Sequence, residues 1–168
     1  MQTFLPFPSF RASVEVLDRL RLGNQRKEVV HLLRALAGET KGWSNHPAAA
    51  MWLGHERALA AYGIAACDAW MSRGYLDTCL PKIIDLADRF PASSSAMPPW
   101  LGDEAFHRAH RSNLRRKDPA HYSPDRLGSA WDVAADLPYQ WPALDGAGGY
   151  TLKTITPSRG AKRGKERA

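Results

Sequence analysis

Hydrophobic residues recur at helical spacing through most of the chain. Val29, Leu32, Leu33 and Leu36 fall at i, i+3, i+4 and i+7, which makes one buried stripe, while Lys27, His31 and Arg34 fall on another side. The spacing predicts a helix from Gln25 to Ala37, ended by Gly38. Ser13 is placed to cap a shorter helix running towards Leu22, with Gly23 and Asn24 as an interruption. The opening FLPFPSF is extended or turn-like, because each proline pushes its predecessor out of the α region. Pro47 stands where a helix starts, and Ala48 to Arg73 is the longest predicted helix, with Trp52, Leu59, Ala66 and Trp70 as its spine. Ala58, Ala60, Ala61, Gly63, Ala65 and Ala66 leave room for a second helix to approach, and Gly74 closes the run. Further helices are predicted over Lys82 to Arg89 and Gly102 to Arg116, on either side of a Pro/Ser-rich loop, FPASSSAMPPW. Beyond Asp118 the chain is rich in Pro, Gly, Tyr and Trp, and Tyr150 to Thr156 is either a short strand or extended tail. The expected fold is all-α: a single compact helical domain over residues 1–156, with an irregular C-terminal region.

Composition narrows the class. The chain has 168 residues, 44% of them apolar, enough to build one core and too many for wholesale disorder. No apolar run approaches the roughly 20 residues needed to span a bilayer, so no membrane partner is expected. Cys67 and Cys79 are too few for a disulfide scaffold and form no metal motif. The start, MQTFLPFPSF, lacks the charged and apolar regions of a signal peptide, and a cytoplasmic monomer is the expectation. The formal charge of +6 is uneven: residues 157–168 hold Arg159, Lys162, Arg163, Lys165 and Arg167 against Glu166 alone. That segment is expected to be a disordered basic tail, either solvated or drawn to nucleic acid.

Three clusters bear chemistry. Arg21, Arg26, Lys27 and Glu28 surround the start of the Val29 stripe. Glu28 sits at the border of core and solvent, where basic neighbours would hold a partly desolvated carboxylate charged; it is equally a first-turn Glu paired with arginine. Trp43-Ser44-Asn45-His46-Pro47 precedes a helix start and suits either an anion site or a simple cap with Asn45 as the capping residue. His46 and His55 have no third ligand at metal spacing, and Leu59 stands where a zinc-protease motif needs its second His, so no metal is expected. The third cluster, residues 107–117, includes His107, His110, Arg111, Asn113, Arg115 and Lys117 and carries five fixed positive charges with no acid. A run of one sign repels itself unless a polyanion visits it, which points to nucleic-acid phosphates. Trp100, Phe106 and Tyr122 nearby suit base stacking or plain packing. No nucleotide-binding loop, nucleophile elbow, zinc finger or RNA-recognition motif occurs. Residues alone leave three classes open: a nucleic-acid enzyme, a non-catalytic nucleic-acid-binding protein, and a hydrolase or lyase using His46 and His107 on a small phosphorylated substrate.

The segments LDRLRLGNQRKE, TKGWSNHP, MWLGHERAL, RGY and GDEAFHRAHRSNLRRKDPAHY, in that order, resemble the pyrimidine-dimer DNA glycosylase family, in an uncharacterised bacterial branch. The resemblance covers about residues 1–125. It implies a DNA-repair enzyme acting on damaged double-stranded DNA without a cofactor or metal, associated with the nucleoid when bound. It implies a bifunctional reaction: the chain's own α-amine attacks the sugar C1′, an imine forms, the base departs, and β-elimination nicks the strand, an abasic-site lyase step. Residue 2 is Gln, whose bulk disfavours removal of Met1, so the amine would be that of Met1, with Gln2 beside it. Glu28 matches the family's catalytic Glu. Arg26 and Lys27, with Arg21 near, match its phosphate-binding residues. An α-amine suits the work, having a reference pKa of about 7.7–8.0 against about 10.4 for lysine, so more of it is free base at neutral pH.

Overall fold

A computed structural model of the protein describes residues 2–40 and 46–155, with only the backbone of Ile155. Met1, residues 41–45 and residues 156–168 lie outside the described residues, and with them the expectations for Met1, Asn45 and the basic tail. The architecture is mostly helical, in the order α1 (Phe10–Glu15), α2 (Arg19–Leu36), α3 (Pro47–Ala50), α4 (Glu56–Ser72), α5 (Leu80–Ala87), α6 (Glu104–Lys117) and α7 (Pro124–Leu127). A hairpin of β1 (Tyr139–Leu144) and β2 (Tyr150–Ile155) follows. Broadly helical therefore holds, but all-α does not: the two strands pair antiparallel, Tyr139 opposite Ile155 and Trp141 opposite Lys153. The Asp145 carboxylate closes the hairpin turn by accepting from Ala147 N (2.8 Å) and Gly149 N (2.9 Å). The first strand, YQWPAL, gave no alternating signal, and Pro142 is tolerated because a two-stranded sheet has only edges.

Helix α2 is the spine of the molecule. It starts two residues after Leu17, capped by Asp18, whose side chain accepts from Arg21 N. It runs without a break through Gly23 and Asn24, contrary to the expected interruption. Gly23 is there for contact: a Cβ would come within 3.1 Å of the Trp70 ring on α4. The helix buries Leu22, Gln25, Val29 and Leu32, three or four residues apart, and closes at Gly38 with φ +78°. Its start also displaces the expected Ser13 cap, since α1 is capped by Ser9 instead. Ser13 is buried and its hydroxyl closes the Phe7 turn, lying 2.8 Å from Phe7 O and 3.1 Å from Phe7 N.

The predicted helix from Ala48 to Arg73 is two helices. His46 caps α3, its Nδ1 accepting from Ala48 N at 3.0 Å, and Gly54, at φ +80°, turns the chain before α4. The Glu56 carboxylate accepts from Gly54 N at 2.8 Å and steadies that turn. Helix α4 lies against α2, as its small residues predict. Gly63 sits at the crossing, where a Cβ would fall 2.6 Å from Val29 Cγ1 and 3.0 Å from Ile83 Cδ1. One hydrophobic cluster unites Leu5, Val29, Leu33, Trp52, Tyr62, Ile83, Trp100, Phe106 and Trp131. No helix among the described residues is long and apolar enough to cross a membrane.

Gly63→Ala is expected to destabilise the fold by about 1–3 kcal/mol, because neither Val29 nor Ile83 can yield without repacking. Denaturant unfolding would check it, and a midpoint equal to the unsubstituted protein would contradict the crossing described here.

Candidate active site

Residues 2–5 thread through the interior as an extended segment, with Gln2 to Leu5 buried, before the chain turns at Pro6 and Phe7. Extended backbone normally finds its hydrogen bonds in a sheet. Here side chains supply them. Gln2 N donates to Glu28 Oε2 at 2.8 Å. Gln25 Nε2 donates to Gln2 O at 3.0 Å, and its Oε1 accepts from Phe4 N at 2.8 Å. The Tyr62 hydroxyl bridges Phe4 O (2.9 Å) and Gln25 Oε1 (2.7 Å). Trp52 Nε1 donates to the Thr3 hydroxyl at 3.1 Å.

Helix α6 completes the grip. His110 Nδ1 accepts from Leu5 N at 3.1 Å, so that nitrogen carries no proton and the ring is neutral; its Nε2 lies 3.1 Å from the Gln2 side-chain nitrogen. His107 takes the opposite tautomer: Nδ1 donates to Leu5 O at 2.8 Å, and Nε2 accepts from Gly102 N at 3.0 Å. Arg111 Nη1 donates to Pro6 O at 2.7 Å, and the same guanidinium pairs with Glu104. Burial pushes the His107 ring down and the His110 ring down to about 3, so both stay neutral.

This changes the meaning of the 107–117 run. It was expected to be an open cationic face. The structure turns His107, His110, Arg111 and Asn113 inward. The Asn113 side-chain amide donates to Ala109 O at 2.7 Å. Arg115 donates to Val133 O at 2.6 Å and Trp131 O at 3.3 Å, tying down the chain after α7. Backbone carbonyls take the donors of Arg111 and Arg115, while Arg108 and Arg116 stay exposed. Lys117, at the end of α6, remains on a cleft wall.

The cleft has a volume of about 420 Å³ and runs beside the start of the described chain. Glu28, Gln2, Arg21, His46 and Lys117 line it, with Tyr139 and Trp141 from the hairpin closing one side. Burial raises the Glu28 carboxyl above the ordinary value, against the opposing hydrogen bond from Gln2 N. This reverses the expectation that basic neighbours hold it charged. Those neighbours are engaged elsewhere: Arg26 is buried, pairs with Asp77 and lies 4.1 Å over the Trp70 ring. Two residues before Glu28 on a helix, Arg26 points to another side. Lys27 lines a separate groove with Arg19 and Trp70. Arg21, seven residues before Glu28, does reach the cleft, where it pairs with Asp18 at 2.5 Å. His46 meets Trp141 edge to face at 5.9 Å, and burial lowers its pKa. His55 is not in this cleft; its Nδ1 lies 2.8 Å from Ala96 O.

The hairpin aromatics and Gln25 had no signal in the sequence: the first lie after an irregular stretch, and the second is an ordinary polar residue within a helix. Among the described residues, no three His, Cys, Asp or Glu side chains converge as a metal site requires.

A carboxylate of raised pKa beside Gln2, in a cleft with cationic and aromatic walls, has the makings of an acid–base site. Residues 1–82 match the family model described as pyrimidine dimer DNA glycosylase. No curated protein and no solved structure matches the chain. The matched span carries Gln2, Arg21, Glu28 and His46 and supports the family that the sequence resembles. The match covers just under half of the chain.

The clamp predicts acid sensitivity. Between the ordinary histidine value of 6.5 and about 3, the unfolded chain takes up a proton that folded His110 refuses. Stability is therefore complete above that window and falls as pH drops through it, by up to about 1.4 kcal/mol per pH unit for this ring. His107 acts in the same direction. Unfolding midpoints measured between pH 7.5 and 5.5, where ordinary carboxylates stay ionised, are expected to decline; a flat profile would mean the rings are not buried as neutral partners of Leu5.

Proposed function

We propose that the protein is a pyrimidine-dimer DNA glycosylase with abasic-site lyase activity, acting through the chain's N-terminal α-amine with Glu28 as acid and base. The observation that carries this reading is the 2.8 Å hydrogen bond from Gln2 N to Glu28 Oε2. The α-amine of residue 1 is joined to that nitrogen by three bonds, which total about 4.3 Å when summed. Whatever conformation residue 1 takes, an amine there stays within about 7 Å of the Glu28 carboxylate. Were Met1 removed, the Gln2 nitrogen would itself be the amine.

The chemistry follows from that placement. The free amine adds at the sugar C1′ as the glycosidic bond breaks, and the base leaves with a proton. Glu28, whose carboxyl burial raises above its ordinary value, is suited to give that proton. The sugar ring opens to an imine. Ionised Glu28 then takes a C2′ proton, the C3′–O bond breaks, and the 3′ phosphate departs. Hydrolysis of the imine returns the amine. Arg21, on the cleft wall, supplies positive charge for a flanking phosphate. Tyr139 and Trp141 offer faces on which a displaced base can stack. The buried His107, His110, Arg111 and Asn113, with the half-buried Arg115, serve by holding the N-terminal segment and the region after α7, rather than by touching DNA; Arg26 serves the α2–α5 junction.

Borohydride trapping on ultraviolet-irradiated or abasic duplex DNA tests the reading. A covalent adduct is expected, and Glu28→Gln is expected to lower turnover by about 10²–10⁴ with little change in DNA affinity. Duplex binding with neither adduct nor strand cleavage would instead establish a non-catalytic binding protein. Trp141→Ala is expected to weaken binding to damaged duplex by about 1–3 kcal/mol, read by titration, while leaving undamaged duplex nearly unaffected. Equal losses on both duplexes would remove the indole from lesion recognition.

A further inference from the structure

The cleft holds an amine that this reaction does not use. Lys117 is the last residue of α6 and lines the same cavity as Glu28 and Gln2. The cleft's arginine, Arg21, is committed to Asp18 at 2.5 Å and approaches Asp118 at 4.0 Å. Lys117 is in no salt bridge among the described residues. The helix that carries it is anchored by His107, His110 and Arg111 on the buried N-terminal segment and, two residues before Lys117, by Arg115 on Val133 O. Burial lowers its pKa, and Arg21 and Arg116 lower it further. A lysine with a depressed pKa and no carboxylate pairing it is a nucleophile towards carbonyl carbon.

We propose that Lys117 is a second imine-forming amine of this cleft, acting on the aldehyde of an abasic sugar already present in DNA. The inference rests on the abasic-site reading above and adds a route independent of the N-terminus. Neutral Nζ adds to the C1′ aldehyde, and the carbinolamine takes a proton and loses water to give the imine. Ionised Glu28 removes a C2′ proton, the C3′–O bond breaks, the 3′ phosphate leaves, and water releases the amine. No oxidant or reductant is needed. An intact damaged nucleotide has no free aldehyde, so this second amine would act on abasic sites alone.

The test uses the full chain, a labelled duplex with one abasic site, and cyanoborohydride. The α-amine is removed selectively by transamination, and adducts are mapped by peptide mass. The blocked protein is expected to keep an adduct on the Lys117 peptide. Adding Lys117→Arg to the blocked protein, which keeps the charge and removes the nucleophile, is expected to reduce that adduct about tenfold or more, with DNA affinity held within about twofold. If the unblocked protein forms an adduct and the blocked one forms none, the Lys117 route is overturned and the α-amine reading stands. If neither forms one, both fall. An adduct on another lysine, undiminished by Lys117→Arg, overturns the assignment to Lys117.

Discussion

The structure depends on burying an extended segment that has no sheet to join. Gln2 to Leu5 lie in the interior, where each unpaired backbone group would cost about 1–3 kcal/mol. Five side chains from three helices, Gln25, Glu28, Tyr62, His107 and His110, meet that demand by bonding to main-chain atoms of Gln2, Phe4 and Leu5. The segment in turn fixes α2, α4 and α6 about one line, and the Gln2 nitrogen is delivered to a carboxylate. Fold and site are thus one arrangement. Arg111 on Pro6 O and the Ser13 hydroxyl on Phe7 extend the same device to the turn before α1.

That device explains why the basic run of α6 misleads when taken by itself. Sequence alone distinguishes charge from no charge, not whether the acceptor is a phosphate or a carbonyl. Arg111 and Arg115 spend their donors on the carbonyls of Pro6, Trp131 and Val133, and the two histidines are neutral. A cationic sequence here builds a polar interior. The cleft's accessible charge is left to fewer groups, Arg21 and Lys117. The cationic surface that the cleft offers is accordingly narrower than the count of arginines implies.

Legibility followed the range of the interactions. The apolar stripe of α2, the Pro47 start and the Gly38 stop rest on neighbours within a few residues, and they were readable. Glu28 was recognisable from its position at the edge of that stripe together with the family resemblance. What escaped reading depends on distant partners. Gly23 looks like a helix breaker until Trp70, far along the chain, lies against it. Gly54, rather than a proline, divides the long helix in two. The hairpin that brings Tyr139 and Trp141 to the cleft lies beyond the matched span, in a stretch without periodicity. Gln25 and the His107/His110 pair take their roles only from the segment they hold.

The central claim is that the chain's first amine and the Glu28 carboxylate form one electrostatic unit. The most direct measurement is the pKa of the N-terminal α-amine, followed by nitrogen NMR in the unsubstituted protein and in Glu28→Gln. At a separation within about 7 Å the carboxylate favours the protonated amine, so its removal should lower the amine's pKa by something on the order of one pH unit. An amine that titrates identically in both proteins would contradict the account, because it would place the start of the chain out of reach of the side chain on which the chemistry depends.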